Sequence, residues 1–250
     1  MKNMNEDVYA KWLNEFNATI DSPTPRRTTT PLRRCVYKFP TRAGEAALSH
    51  ETLGEILDAL LRLRHSRCAA RLETEVSLMD IFTSFVMCLG ADDEQNDLVG
   101  ESNPDSPSSA RDELSSNLEV CRLLGEYAFE AVKDKPKGET KTSLRVGAAF
   151  ELLAELLLKK GLEELFSKIA DYARNMIRKG SGESLVGAVT FVDLYYVSFK
   201  EVATPEDFIE ELSQLERRTK NRKVAFTVND TLVEIGAISK LAALDRMERF

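Results

Sequence analysis

Residues 143–180 read SLRVGAAFELLAELLLKKGLEELFSKIADYARNMIRKG, and this stretch decides the fold class. From Leu144 to Leu158 the chain is apolar at nearly every position, with Arg145, Glu151 and Glu155 as the charged interruptions. A helix that is apolar on most faces must be enclosed by protein. Lys159-Lys160-Gly161 ends it, because cations complement the carbonyl end of a helix and glycine adopts the left-handed cap. Leu162, Leu165, Phe166, Ile169, Ala173, Met176 and Ile177 then recur at i, i+3, i+4 spacing. That is the pattern of a helix with one buried face. Arg178-Lys179-Gly180 repeats the stop. The spacing predicts a helical hairpin, one central helix and one covering helix.

Working outward toward the C-terminus, residues 185–199 are rich in β-branched and aromatic side chains, which favours a strand. Leu185, Ala188, Val189, Val192, Tyr195, Tyr196 and Phe199 nevertheless share one helical face, and fifteen residues is long for a strand. Helix is the expectation. Thr204-Pro205-Glu206-Asp207 marks another helix start, with proline in the first turn. Residues 224–235 read either as a hairpin on Asn229-Asp230 or as the start of a final helix capped there. Leu232, Ile235, Ile238, Leu241, Leu244 and Met247 fit the helix alone.

Toward the N-terminus, helical spacing appears from Asn117 to Ala131, and residues 46–90 read as two or three packed helices. Ser49 with Thr52 and Glu55 opens the first of these. Residues 91–116 (ADDEQNDLVGESNPDSPSSARDELSS) are polar and acidic and read as a flexible loop or linker. Residues 21–42 hold four of the eight prolines and read as an extended connector, with Cys35–Phe39 alternating like a short strand. Before it, a short helix from Asn5 carries the aromatic stripe Tyr9, Trp12, Leu13 and Phe16. The expected organisation is therefore an N-terminal helix and extended basic arm (1–45), a small helical subdomain (46–90), an acidic linker (91–116) and a helical core domain (117–250). The fold class is mainly α: a multi-helix bundle, or a short stack of antiparallel helical pairs, with an extended N-terminal arm.

The 250 residues carry a net charge of -7, which argues against a uniformly basic nucleic-acid binder. The charge is uneven, however. Residues 22–72 hold ten Lys/Arg against four Asp/Glu, and residues 91–115 hold eight acids against one Arg. Three basic groups stand out: Arg26, Arg27, Arg33, Arg34 and Lys38 in the arm; Arg62, Arg64, Arg67 and Arg71 after it; and Arg217, Arg218, Lys220, Arg222 and Lys223. They are the candidate polyanion contacts. The longest strongly apolar run is too short and too interrupted for a membrane span, so none is expected. Four cysteines without CxxC spacing and no apolar signal core favour a reducing compartment, cytoplasmic or nuclear.

Signatures of catalysis are sparse. Two histidines, His50 and His65, lack the spacing of a metal site, and no cofactor is expected. Cys68 lies three residues from His65, a pairing that is more often structural than nucleophilic. The segment RKGSGES (178–184) is basic and glycine-containing but lacks the phosphate-loop order, and a loop between helices explains it. The expectation is a non-enzymatic helical interaction protein, an adaptor, scaffold or regulatory subunit. It would bind protein partners through helical faces and an N-terminal arm in which Tyr9, Trp12, Leu13 and Phe16 dock on a partner or on a second copy. The second reading is an RNA-binding, self-assembling nucleoprotein-like chain.

Overall fold

The computed structural model describes residues 6–22, 29–40, 48–89, 107–135, 143–157, 159, 161–199 and 205–248. Eleven helices and no strand occur among them. They are α1 (Glu6–Ile20), α2 (Thr29–Tyr37), α3 (His50–His65), α4 (Arg71–Cys88), α5 (Pro107–Lys133), α6 (Ser143–Leu156), α7 (Glu163–Lys179), α8 (Leu185–Ser198), α9 (Glu206–Arg218), α10 (Arg222–Glu234) and α11 (Lys240–Met247). The chain divides into two compact units, Met1–Glu139 and Thr140–Phe250. Helix α5 belongs to the first.

In the first unit α3 is the hub, packed against α1, α4 and α5, while α2 packs on α1 and α4. Ser49 caps α3: its Oγ accepts from the Thr52 N–H at 3.2 Å, as its position predicts. Leu53, Ile56, Leu57, Leu60 and Leu63 are buried along one face. Residues 29–37 are helical rather than extended. Pro31 sits in the first turn of α2, where the missing N–H costs nothing. The strand expected over Cys35–Phe39 is instead the end of that helix, and its Cys35 carbonyl accepts the indole N–H of Trp12 at 2.7 Å. Helix α5 likewise begins at Pro107, inside the stretch read as linker. Residues 91–106 of that stretch, and 23–28 and 41–42 of the arm, lie outside the described residues.

A buried charge ties the first unit together. Glu75, on α4, is 1% exposed, as is Arg64 on α3. Arg64 Nε donates to Glu75 Oε1 at 2.8 Å, and the Tyr127 hydroxyl on α5 donates to the same oxygen at 2.6 Å. The guanidinium also lies over the Tyr127 ring, 4.9 Å from its centroid. One carboxylate thereby fixes three helices.

In the second unit the centre is α8, packed against α6, α7 and α10; the 144–158 run was expected to take that place. Helices α6 and α7 each pack on α8 instead of forming a closed hairpin core of their own. Helix α6 is itself deeply buried, as its apolar run predicts, but α8, with Asp193 as its single charged residue, receives three neighbouring helices. Gly187 permits the approach of α6, since a Cβ there would lie 2.9 Å from Phe150 Cδ2. The helix expected over 185–199 is present. The final helix is two helices: α10 is capped by Asn221, whose Oδ1 accepts from the Lys223 and Val224 N–H groups, not by Asn229 or Asp230. Gly236 then turns with φ +72°, and Ser239 caps α11.

Two substitutions test this packing. Glu75→Ala leaves a buried guanidinium without its carboxylate and is expected to cost about 3–5 kcal/mol. Gly187→Ala forces α6 away from α8, at about 1–3 kcal/mol. Urea unfolding followed by circular dichroism reads both, and a shift under about 0.5 kcal/mol for either contradicts its account.

Candidate functional site

The aromatic stripe of α1 faces inward. Tyr9, Trp12, Leu13 and Phe16 are all buried in the first unit. Trp12 stacks on Phe16 at 4.8 Å between centroids and meets Phe39 edge-on at 4.9 Å; the Tyr9 hydroxyl donates to the Pro40 carbonyl at 3.1 Å. In this fold the stripe is a core element, so the docking arm expected there is corrected. Helix α1 packs on the chain's own α2 and α3, and its aromatic stripe meets Phe39 and Pro40 just beyond α2.

Most of the basic residues of the first unit are already engaged. Arg64 is buried against Glu75 and cannot meet a polyanion, which removes it from the candidates. Arg33 pairs with Glu73 at 2.9 Å, Lys38 with Glu15 at 3.1 Å, and Arg62 with Asp21 at 3.4 Å. Arg71 donates to the Cys68 carbonyl at 3.1 Å. Arg34 and Arg67 are exposed, and Arg26 and Arg27 lie outside the described residues. His65, at the end of α3, has its Nε2 3.1 Å from Asp134 Oδ2 and so faces a carboxylate.

In the second unit Arg145 is fully buried, whereas the cations of the 217–223 run are exposed. The loop joining α9 to α10 lies beside the loop joining α7 to α8, and together they border an open cleft of about 510 Å³. Gly180–Gly182 form one side and Arg218–Asn221 the other; the buried Leu185 and Leu215 form its base. Arg218 donates to the carbonyls of Ile177 and Arg178, capping α7 and locking the two loops together. Lys223 pairs with Glu183. Arg178 pairs with Glu211 at 2.6 Å, as does Arg174, so that α7 and α9 are clamped below the cleft. Lys179, Arg217, Lys220 and Arg222 are exposed and make no ion pair among the described residues. The sequence gives the 217–223 run directly. It gives no sign that 178–184 lies opposite, because that proximity follows from how α7 and α9 pack.

A further cluster was not visible in the sequence. Asp193 on α8, itself buried, faces Glu234 and Asp230 on α10. Burial, then the charge and hydrogen bond of Glu234, then the charge of Asp230, push its carboxyl up to about 6. Large apolar side chains are also exposed in this unit: Phe226 on α10, and Leu241 and Leu244 on α11, at 59%, 70% and 65%. Helix α11 packs on α10 but buries none of its own side chains.

No group of three or more His, Cys, Asp and Glu side chains placed to hold a metal occurs among the described residues, and no described helix is long and apolar enough to cross a membrane. The class defined here is a mainly α, multi-helix protein of two units. No protein-family model matches the chain, and no curated protein or solved structure matches it either.

The Asp193 cluster makes stability depend on pH. The folded chain holds a proton there up to about pH 6, whereas the unfolded chain releases it near 3.8. Stability from this site is therefore lost as pH rises through that window. Asp193→Asn is expected to raise the melting temperature at pH 7.5, by about 1–3 kcal/mol of stability, and to flatten the pH dependence between about 4 and 6.5. An unchanged pH profile by scanning calorimetry contradicts this assignment.

Proposed function

We propose that the chain is a non-enzymatic helical interaction protein, an adaptor, scaffold or regulatory subunit, whose C-terminal helices bind a protein partner. The observation that carries this reading is α11. Leu241 and Leu244, three residues apart on one helical face, are exposed, while Met247, one turn further on, accepts from Asn229 Nδ2 at 3.6 Å. Isolated exposed leucines are ordinary. Two on one stripe of a terminal helix, with Phe226 exposed on the neighbouring α10, form the kind of face that seats in or beside a partner's groove. The surface assigned to partners thus moves from the N-terminal arm to the C-terminal helices. Self-association through α1 would first require withdrawing Trp12 and Phe16 from the core. A reducing compartment, cytoplasmic or nuclear, suits the cysteine usage: Cys35, Cys68 and Cys121 are buried and Cys88 is exposed.

The test is a double substitution, Leu241→Glu with Leu244→Glu. Neither side chain is buried, so the thermal melt should not change. Affinity purification after cross-linking should recover a defined partner with the native chain and lose it with the variant. Recovery of the same partner by both chains would remove the C-terminal helices from the interface.

A further inference from the structure

The cleft between the α7–α8 and α9–α10 loops has a composition that neither packing nor the apolar α11 face accounts for. No acidic side chain lines it, although the protein as a whole is acidic. Five of the seven residues 217–223 are cations, and Lys179 adds another from the opposite loop. Two of these cations are already spent, Arg218 on the carbonyls of α7 and Lys223 on Glu183. Four exposed cations remain: Lys220 lines the cleft, and Lys179, Arg217 and Arg222 each adjoin a lining residue in sequence. Water and salt screen exposed like charges at little cost, and together these cations raise the local concentration of anions.

The backbone adds donors to the charge. The N–H groups of Ser181, Gly182, Glu183 and Ser184 donate to no group among the described residues. Gly182 has φ +92°, the left-handed conformation that glycine permits, and it interrupts the chain just before α8 begins. Successive amides around such a turn, at the start of a helix, attract anions. On the facing loop, Thr219 Oγ1 accepts from the Asn221 N–H at 3.2 Å, which leaves the hydroxyl proton to donate. The Arg218 contacts hold both walls in place, so the donors are set before any ligand arrives.

We propose that this cleft binds single-stranded nucleic acid by its phosphodiester backbone. The 217–223 run carries more cations than a single phosphate neutralises, so a chain of phosphates fits better than one phosphorylated side chain. No aromatic side chain lines the cleft, so bases find no stacking platform there and the contacts are to phosphate and sugar, without sequence readout. The site does not rest on the α11 interface and stands or falls separately from it.

The experiment is fluorescence anisotropy of a labelled oligo-uridine, and of the matching oligo-thymidine, titrated with the full chain. Affinity should fall roughly twentyfold between about 50 and 200 mM salt, the dependence for about three phosphates on a single strand. The triple variant Arg217→Ala, Lys220→Ala, Arg222→Ala should bind at least about tenfold more weakly and lose most of the salt dependence. Ser181→Glu, which adds a carboxylate to the cleft and removes no cation, should weaken binding in the same direction. A control carrying Arg34→Ala and Arg67→Ala, exposed cations of the first unit, should bind like the native chain. Native-like binding by both cleft variants, or no binding of either oligonucleotide, overturns the proposal. So does a phosphorylated peptide or a phosphoinositide vesicle that binds, with sensitivity to the same variants, where the oligonucleotides do not.

Discussion

A carboxylate removed from water must recover its solvation from the protein, and Glu75 does so from Arg64 and Tyr127. The first unit depends on this arrangement because the three groups come from three helices. None of them can shift without stranding a charge. The aromatic cluster around Trp12 and Phe39 packs elsewhere in the same unit and is non-directional by comparison; it supplies burial, whereas Glu75 fixes register. The second unit is organised differently. Its hub, α8, contributes one charged residue, and what it demands of its neighbours is coverage. The ion pairs there, Arg174 and Arg178 with Glu211, lie at the edge of the core and join α7 to α9.

Free cations survive in both units. In the first, Arg33, Lys38 and Arg62 find carboxylates on neighbouring elements and Arg64 is buried against Glu75, while Arg34 and Arg67 stay exposed. In the second unit the basic loop faces a glycine-containing turn, and no acid lines the cleft between them. Lys223 is paired there with Glu183, and Lys179, Arg217, Lys220 and Arg222 make no ion pair among the described residues.

Helical content was legible from the sequence because 3.6-residue periodicity survives in nearly every segment, and α8 was identified despite its β-branched composition. The failures have separate physical causes. The prolines of 21–42 suggest an extended chain, yet Pro31 occupies a first turn and breaks nothing, and Pro107 opens α5 inside a stretch whose polar, acidic composition suggests a linker. Asn229 or Asp230 suggests a cap, although the true cap, Asn221, lies within the basic run. Choosing 144–158 as the centre failed because periodicity reports how many faces are apolar, not which helix the others surround. The candidate sites were half legible. Cations can be counted along a chain, but whether Arg64 meets solvent or Glu75, and whether residues 180–182 lie opposite residues 218–221, depends on long-range packing that one sequence does not record.

Helix α11 buries no side chain, and that has a thermodynamic consequence. An element held mainly by its own backbone and by a capping serine opens locally at little cost, independently of the unit to which it is attached. A partner that grips Leu241 and Leu244 therefore also selects the helical state of this segment and must supply the ordering free energy. Affinity would then be adjustable at solvent-facing positions such as Lys240 or Asp245 that no partner touches, because substitutions there alter the fraction of time the segment is helical. Such residues would act on recognition through conformational preference alone.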